Sequence, residues 1–141
     1  MMKMRTLQIL FILIWMLFSC REKQYPYQEA LQDYLKSTGI KLNTKQKVLI
    51  IPNQNCEACI REVLDLCLSG DCEGVDQVIL TQNISENPIP KNIFIDTSNT
   101  FVYYETGVFE PFLIELDHNN WISWQKLKGI EKEEIRKILM D

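Results

Sequence analysis

The segment Val48 to Leu66, VLIIPNQNCEACIREVLDL, constrains the fold most. It begins with a short, continuous apolar run rich in β-branched residues, which predicts a central strand buried on both faces. Pro52 ends that strand, because a proline cannot donate to the hydrogen-bond ladder. The pattern then becomes that of an amphipathic helix whose apolar face carries Ile60, Val63, Leu64 and Cys67. Cys56 and Cys59 therefore open a helix directly after a central strand.

The rest of the chain predicts an α/β fold. A second strand in VDQVILTQ completes a βαβ unit, whose two strands should be parallel. A helix in YPYQEALQDYLKSTG precedes the unit, and a short strand, Ile93 to Ile95, follows it. FLIEL and WISWQKL flank the turn-forming DHNN and predict an antiparallel hairpin. IEKEEIRKILM closes the chain as a helix, so we expect a mixed central sheet flanked by helices.

The first residues have the pattern of an export signal. Two basic residues in MMKMR precede LQILFILIWMLF, which is apolar except for one glutamine, and Ser19 and Cys20 follow. This arrangement is typical of a secretory signal, and the apolar run is shorter than the roughly 20 residues of a spanning helix. An uncut short membrane anchor is the alternative. We expect a signal peptide at 1–19, a tether at 20–25 and one domain at 26–141.

LFSC, residues 17–20, resembles a bacterial lipobox. In such signals the cysteine receives a diacylglycerol and becomes the first residue of the mature protein. The resemblance implies lipidation of Cys20 and attachment to a membrane of the bacterial cell envelope, facing the periplasm or the exterior. Loss of Lys3 and Arg5 would leave 13 basic and 19 acidic residues, a net charge of −6. The sequence shows no basic face for nucleic acid.

Four cysteines remain after Cys20, and an oxidising compartment favours disulfides between them. Three pairings are open, and sequence distance favours Cys56 with Cys59 and Cys67 with Cys72. Zinc is the rival use of four cysteines, but a C-x4-C pair placed partly on a helix suits it poorly. Cys67 also reads as a small core residue.

The order of elements, with GVFEPFLIEL before the hairpin, resembles the thioredoxin-like superfamily over roughly residues 48–141. The resemblance implies a three-layer sandwich, with the CxxC where the central strand meets the long helix. It also implies that Pro111 is the cis-proline facing the cysteines, that Cys56 attacks a disulfide and that Cys59 resolves it. Asn55 replaces the tryptophan usual before the first cysteine, and Ile50 replaces the buried aspartate of thioredoxin. The sequence thus indicates a diverged lipoprotein relative.

Three functions are consistent with these patterns. The first is a thiol–disulfide oxidoreductase without a cofactor, acting on the thiols and disulfides of exported proteins or of a partner redox protein. The second is a non-catalytic envelope lipoprotein in which Cys56 and Cys59 form a structural disulfide. The third is a Cu(I)-binding module, because NCEACIREVLDL also resembles the start of the heavy-metal-associated domain. The only histidine, His118, lies in the predicted hairpin turn.

Overall fold

The computed structural model describes residues 24–41, 43–53, 57–81 and 89–141. In these residues the chain forms three α-helices, five strands and one short 3-10 helix. The elements in chain order are α1 (Gln28–Ser37), β1 (Gln46–Ile51), α2 (Glu57–Leu68), β2 (Gln77–Leu80), β3 (Ile93–Ile95), the 3-10 helix (Thr100–Tyr103), β4 (Phe112–Asp117), β5 (Asn120–Lys126) and α3 (Lys132–Met140).

The strands form one mixed sheet in the order β3-β2-β1-β4-β5. β1 is parallel to β2, and β2 is parallel to β3, so the predicted βαβ unit is confirmed. β4 is antiparallel to β1, and β5 returns beside β4 as the predicted hairpin. His118 and Asn119 both take positive φ in the turn between them, as a tight hairpin turn requires. β1 therefore lies at the centre of the sheet.

Both faces of β1 are covered, which explains its uninterrupted apolar sequence. Leu49 and Ile51 pack on one side with the apolar faces of α2 and α3. Val48 and Ile50 pack on the other side with α1 and the 3-10 helix segment. The result is an α/β arrangement with helices on both faces of the sheet, as the sequence predicts.

The turn after α2 holds α3 in place. Cys67, in the last turn of the helix, forms a disulfide with Cys72, with the two Cα atoms 4.8 Å apart. The backbone N–H of Gly74 donates to the carbonyl of Leu139 at 2.9 Å. A Cβ atom at residue 74 would lie 2.7 Å from that same carbonyl oxygen, so only glycine permits this approach.

A buried carboxylate organises the chain between β3 and β4. Asp96 is 6% exposed and follows β3. It accepts hydrogen bonds from the backbone N–H groups of Thr100, at 3.1 Å, and Phe101, at 2.8 Å. The Tyr34 hydroxyl of α1 also donates to it, at 3.2 Å. Asp96 thus caps the 3-10 helix and ties this irregular segment to α1.

The packed part of the chain reaches back to Tyr25, the last residue of the predicted tether. Its side chain is 4% exposed, and its hydroxyl donates to the carbonyl of Thr106 at 2.7 Å. Its ring stacks on Trp121 with centroids 5.7 Å apart and also contacts Phe112 at 4.9 Å. The N-terminal residues of the domain are therefore fixed against the β4–β5 hairpin.

Candidate functional site

The start of α2 contains Cys59, one of the two cysteines of the CxxC motif. Cys59 is the third residue of the helix, is half-buried and is disulfide-bonded. Cys67 and Cys72 bond to each other, so neither of them is its partner. Cys56, with the two residues before it, lies outside the described residues. A disulfide thus lies where the helix begins, directly after the central strand.

A threonine that was not among the predicted site residues anchors the segment that connects β1 to the cysteines. Thr81 follows β2 and is 5% exposed. Its hydroxyl accepts a hydrogen bond from the backbone N–H of Asn53 at 2.8 Å, and its own N–H donates to the carbonyl of Ile51 at 3.3 Å. The chain leaving β1 toward the cysteines is therefore anchored to the neighbouring strand.

Pro111 lies at the same end of the sheet. Phe112, the first residue of β4, is paired with Ile50 of the antiparallel β1, which places Pro111 one step further along. The Pro111 carbonyl accepts a hydrogen bond from the N–H of Leu127 at 2.9 Å. The topology thus brings Pro111 to the end of β1 from which the chain continues toward the cysteines.

Two carboxylates near this end form ion pairs. Glu110 is 3.1 Å from the Lys126 ammonium, and its side chain is only 19% exposed. Glu57, the first residue of α2, is 3.3 Å from the Arg61 guanidinium, and both side chains point into solvent. Such an exposed pair contributes well under about 1 kcal/mol. The carboxylate of Glu57 nevertheless adds negative charge beside the position of Cys56.

Ile50 is fully buried on the side of β1 opposite α2. Burial of an isoleucine leaves no ionisable group at this point of the central strand. The position is filled by apolar packing.

Tyr25 and Glu110 approach each other near this site. Burial, with smaller contributions from the neighbouring Tyr27 and Glu110, raises the pKa of Tyr25 to about 12. The phenol is therefore neutral at physiological pH and serves as a hydrogen-bond donor to Thr106. No local sequence pattern indicates this role for Tyr25, because its burial depends on contacts with distant residues.

No family model, curated protein or solved structure matches this chain.

The other residues considered in the sequence analysis lie far from the start of α2 or outside the described residues. His118 lies in the hairpin turn, contacts Asp117 and is 73% exposed. Cys20 lies outside the described residues. Within the described ranges, no three His, Cys, Asp or Glu side chains are grouped so as to hold a metal ion. No described helix has the length and apolar character needed to cross a bilayer.

Proposed function

We propose that this chain is a lipid-anchored envelope protein with a thioredoxin-like fold, which exchanges thiols and disulfides through Cys56 and Cys59. The observation that carries the proposal is the disulfide at Cys59, placed at the start of the helix that follows the central strand. Pro111 supports it, because it precedes the antiparallel strand beside the end of β1. The parallel β1–α2–β2 unit and the terminal hairpin and helix fit the same fold.

The position of the cysteines suits an attacking and a resolving thiol. The first residues of a helix have unpaired backbone N–H groups and the positive end of the helix dipole, which together stabilise a thiolate. Cys56 is next in sequence to Glu57, the first described residue of α2, and we assign it the attacking thiolate. Cys59 is half-buried within the first turn, where it is shielded from large substrates. Pro111 would lie against the sulfurs and leave the neighbouring backbone free to pair with a substrate chain.

The exchange proceeds in two steps. The Cys56 thiolate attacks a substrate disulfide, forms a mixed disulfide and releases one substrate sulfur as a thiolate. The Cys59 thiolate then attacks the Cys56 sulfur, forms the Cys56–Cys59 disulfide and releases the second substrate thiolate. Two electrons pass from the protein to the substrate. The reverse steps oxidise a substrate dithiol with the disulfide form.

Glu57 opposes this chemistry, because a carboxylate beside the nucleophile disfavours its thiolate. Together with the buried Ile50, it favours a second candidate function. In that function the Cys59 disulfide is structural, and the protein is a non-catalytic envelope lipoprotein on the same scaffold. The two candidates differ in whether Cys56 exchanges with external thiols.

Insulin reduction by the mature protein, with dithiothreitol as electron donor, separates the two candidates. The proposal predicts turnover that is lost in Cys56→Ser and retained in a Cys67→Ala/Cys72→Ala variant. Absence of turnover in the unaltered protein would favour the structural disulfide. Metabolic labelling with palmitate tests the anchor separately, since the label should disappear in Cys20→Ala.

A further inference from the structure

One surface of the domain is rich in exposed apolar side chains and surrounds the N-terminal residues. We define the aromatic face as Tyr27, Val102, Phe109, Trp121, Ile122 and Trp124. Four of these are roughly half exposed: Tyr27 at 49%, Val102 at 53%, Phe109 at 55% and Ile122 at 45%. Trp121 and Trp124 are half-buried beside them.

Two adjacent pockets shape this face. One, of about 270 Å³, is lined by Gln24, Tyr25 and the two tryptophans of β5, with Ile122. The other, of about 340 Å³, is lined by Tyr27, Val102 and Phe109, among others. The rings of Tyr25 and Tyr27 connect the two, with centroids 6.0 Å apart. The face is therefore continuous across the start of α1.

The aromatic face is also depleted in charge. Among the described residues that line the two pockets, Glu105 is the only charged one. Charged residues make up 24% of the chain, so a solvated surface of this extent would carry several. An apolar patch with so little charge marks an interaction surface.

The position of the tether identifies what the face meets. Gln24 lines the first pocket, and Cys20 lies four residues earlier in the chain. Four residues span at most about 14 Å when fully extended. A domain of this size has a radius of gyration of about 13 Å. If Cys20 carries lipid, Gln24 lies within about 14 Å of the headgroups, so the surface around it is held close to the bilayer.

We propose that the aromatic face rests on the surface of the bilayer that holds Cys20. Tryptophan and tyrosine favour the membrane–water interface, where the ring is half in an apolar and half in a polar environment. The exposed Ile122 and Val102 enter the boundary between headgroups and acyl chains. This inference depends on the proposed lipidation of Cys20 and is independent of the thiol exchange.

The tryptophans themselves report this contact. The chain has three tryptophans, and Trp15 lies in the predicted signal peptide, so the mature protein retains Trp121 and Trp124. The lipidated mature protein is reconstituted in vesicles of phosphatidylethanolamine and phosphatidylglycerol, with or without bromine on the upper acyl carbons. Brominated lipid should reduce the tryptophan fluorescence about twofold, since interfacial rings lie within contact of those carbons.

Ile122→Glu and Val102→Glu should each restore most of this fluorescence, while the lipid keeps both variants on the vesicles. Met140→Glu is the matched control, because Met140 is 50% exposed but belongs to α3 on the opposite side of the sheet. It should be quenched like the unaltered protein. Ile122 and Val102 lie on different elements, so the same result from both substitutions indicates loss of membrane contact rather than a local folding defect. Circular dichroism of each variant checks that the fold is retained.

Three results would overturn the proposal. The first is unchanged fluorescence in brominated vesicles that retain the protein. The second is failure of the mature protein to remain with vesicles, which would leave insulin reduction unaffected. The third is that Ile122→Glu raises the KM for insulin while lipid never quenches the tryptophans. That outcome would make the aromatic face a binding site for extended polypeptide.

Discussion

Removal of the Cys67–Cys72 disulfide should destabilise the protein by an amount set mainly by the length of the loop that the disulfide closes. The bond joins residues five apart and so closes a loop of six residues. In the chain-entropy description, a loop of that size restricts the unfolded chain by about 2 kcal/mol at 25 °C. Both side chains are buried in the apolar cluster beside α2 and α3, so their replacement by alanine adds a packing loss.

Urea unfolding of the Cys67→Ala/Cys72→Ala variant measures this loss. With an m-value of roughly 1–3 kcal/mol/M, a loss of about 2 kcal/mol lowers the midpoint by about 0.7–2 M. The loss should be concentrated in α3, because the same turn docks it through Gly74 and through the 3.1 Å contact between Arg136 and Asp71. Amide exchange in α3 should accelerate accordingly.

Arg136→Gln is the control for this experiment, since it removes the ion pair and keeps the disulfide. Its guanidinium reaches solvent, so the loss should be much smaller than that of the double-alanine variant. A midpoint for the double-alanine variant within about 0.3 M of the unaltered protein would refute the reasoning, because even a small closed loop restricts the unfolded chain.

Further predictions concern buried polar groups and the charge near the site. Asp96→Ala should lower the free energy of unfolding by about 3 kcal/mol, because it leaves two buried backbone N–H groups and the Tyr34 hydroxyl without a hydrogen-bond acceptor. Tyr34→Phe should cost only about 1 kcal/mol in the same urea titration, and equal losses would contradict this assignment. Burial raises the pKa of Tyr34, and the neighbouring Asp96 adds to this rise. Burial also raises the pKa of Tyr25, to about 12. The folded protein therefore keeps phenolic protons that the unfolded chain loses above about pH 10, so stability falls as pH rises through that value. Tyr34→Phe should flatten this fall in urea titrations between about pH 10 and 12, and an unchanged slope would oppose it. In the reduced protein, Glu57→Gln should speed alkylation of Cys56 by iodoacetamide at pH 7 about twofold, because removing the carboxylate favours the thiolate. A slower reaction would contradict that account.

The regular part of the fold could be predicted because it is encoded by local patterns. The apolar run of β1 predicts a strand buried on both faces, and Leu49 and Ile50 indeed pack on opposite sides. DHNN predicts the hairpin turn through residues that tolerate positive φ. The Cys67–Cys72 disulfide was predicted from sequence distance, and it is confirmed.

The features that were not predicted depend on contacts between residues far apart in sequence. Asp96 looks like an ordinary polar residue after a strand, and its burial depends on Tyr34, 62 residues earlier. The hydroxyl of Tyr25 reaches Thr106, 81 residues later. Thr81 offered one weak signal, a hydroxyl at the end of a strand that adjoins the strand before the CxxC. No local periodicity indicates such pairs.

The candidate site likewise combines positions that local patterns predict with contacts that they do not predict. The position of Cys59 follows from strand and helix patterns, and the place of Pro111 at the end of β1 follows from the hairpin. The pairing of Glu110 with Lys126 depends on the register between β4 and β5. That pairing neutralises a charge next to Pro111.

The reduction potential of the Cys56–Cys59 pair tests the central claim most directly. The mature protein is equilibrated in glutathione buffers of graded potential, its free thiols are alkylated and the labelled peptides are quantified by mass spectrometry. The account predicts that Cys56 and Cys59 titrate together within the glutathione range. Cys67 and Cys72, at 5% and 4% exposure, should stay oxidised in the folded protein. A Cys56–Cys59 disulfide that resists reduction across that range would contradict the account and leave a structural disulfide in its place.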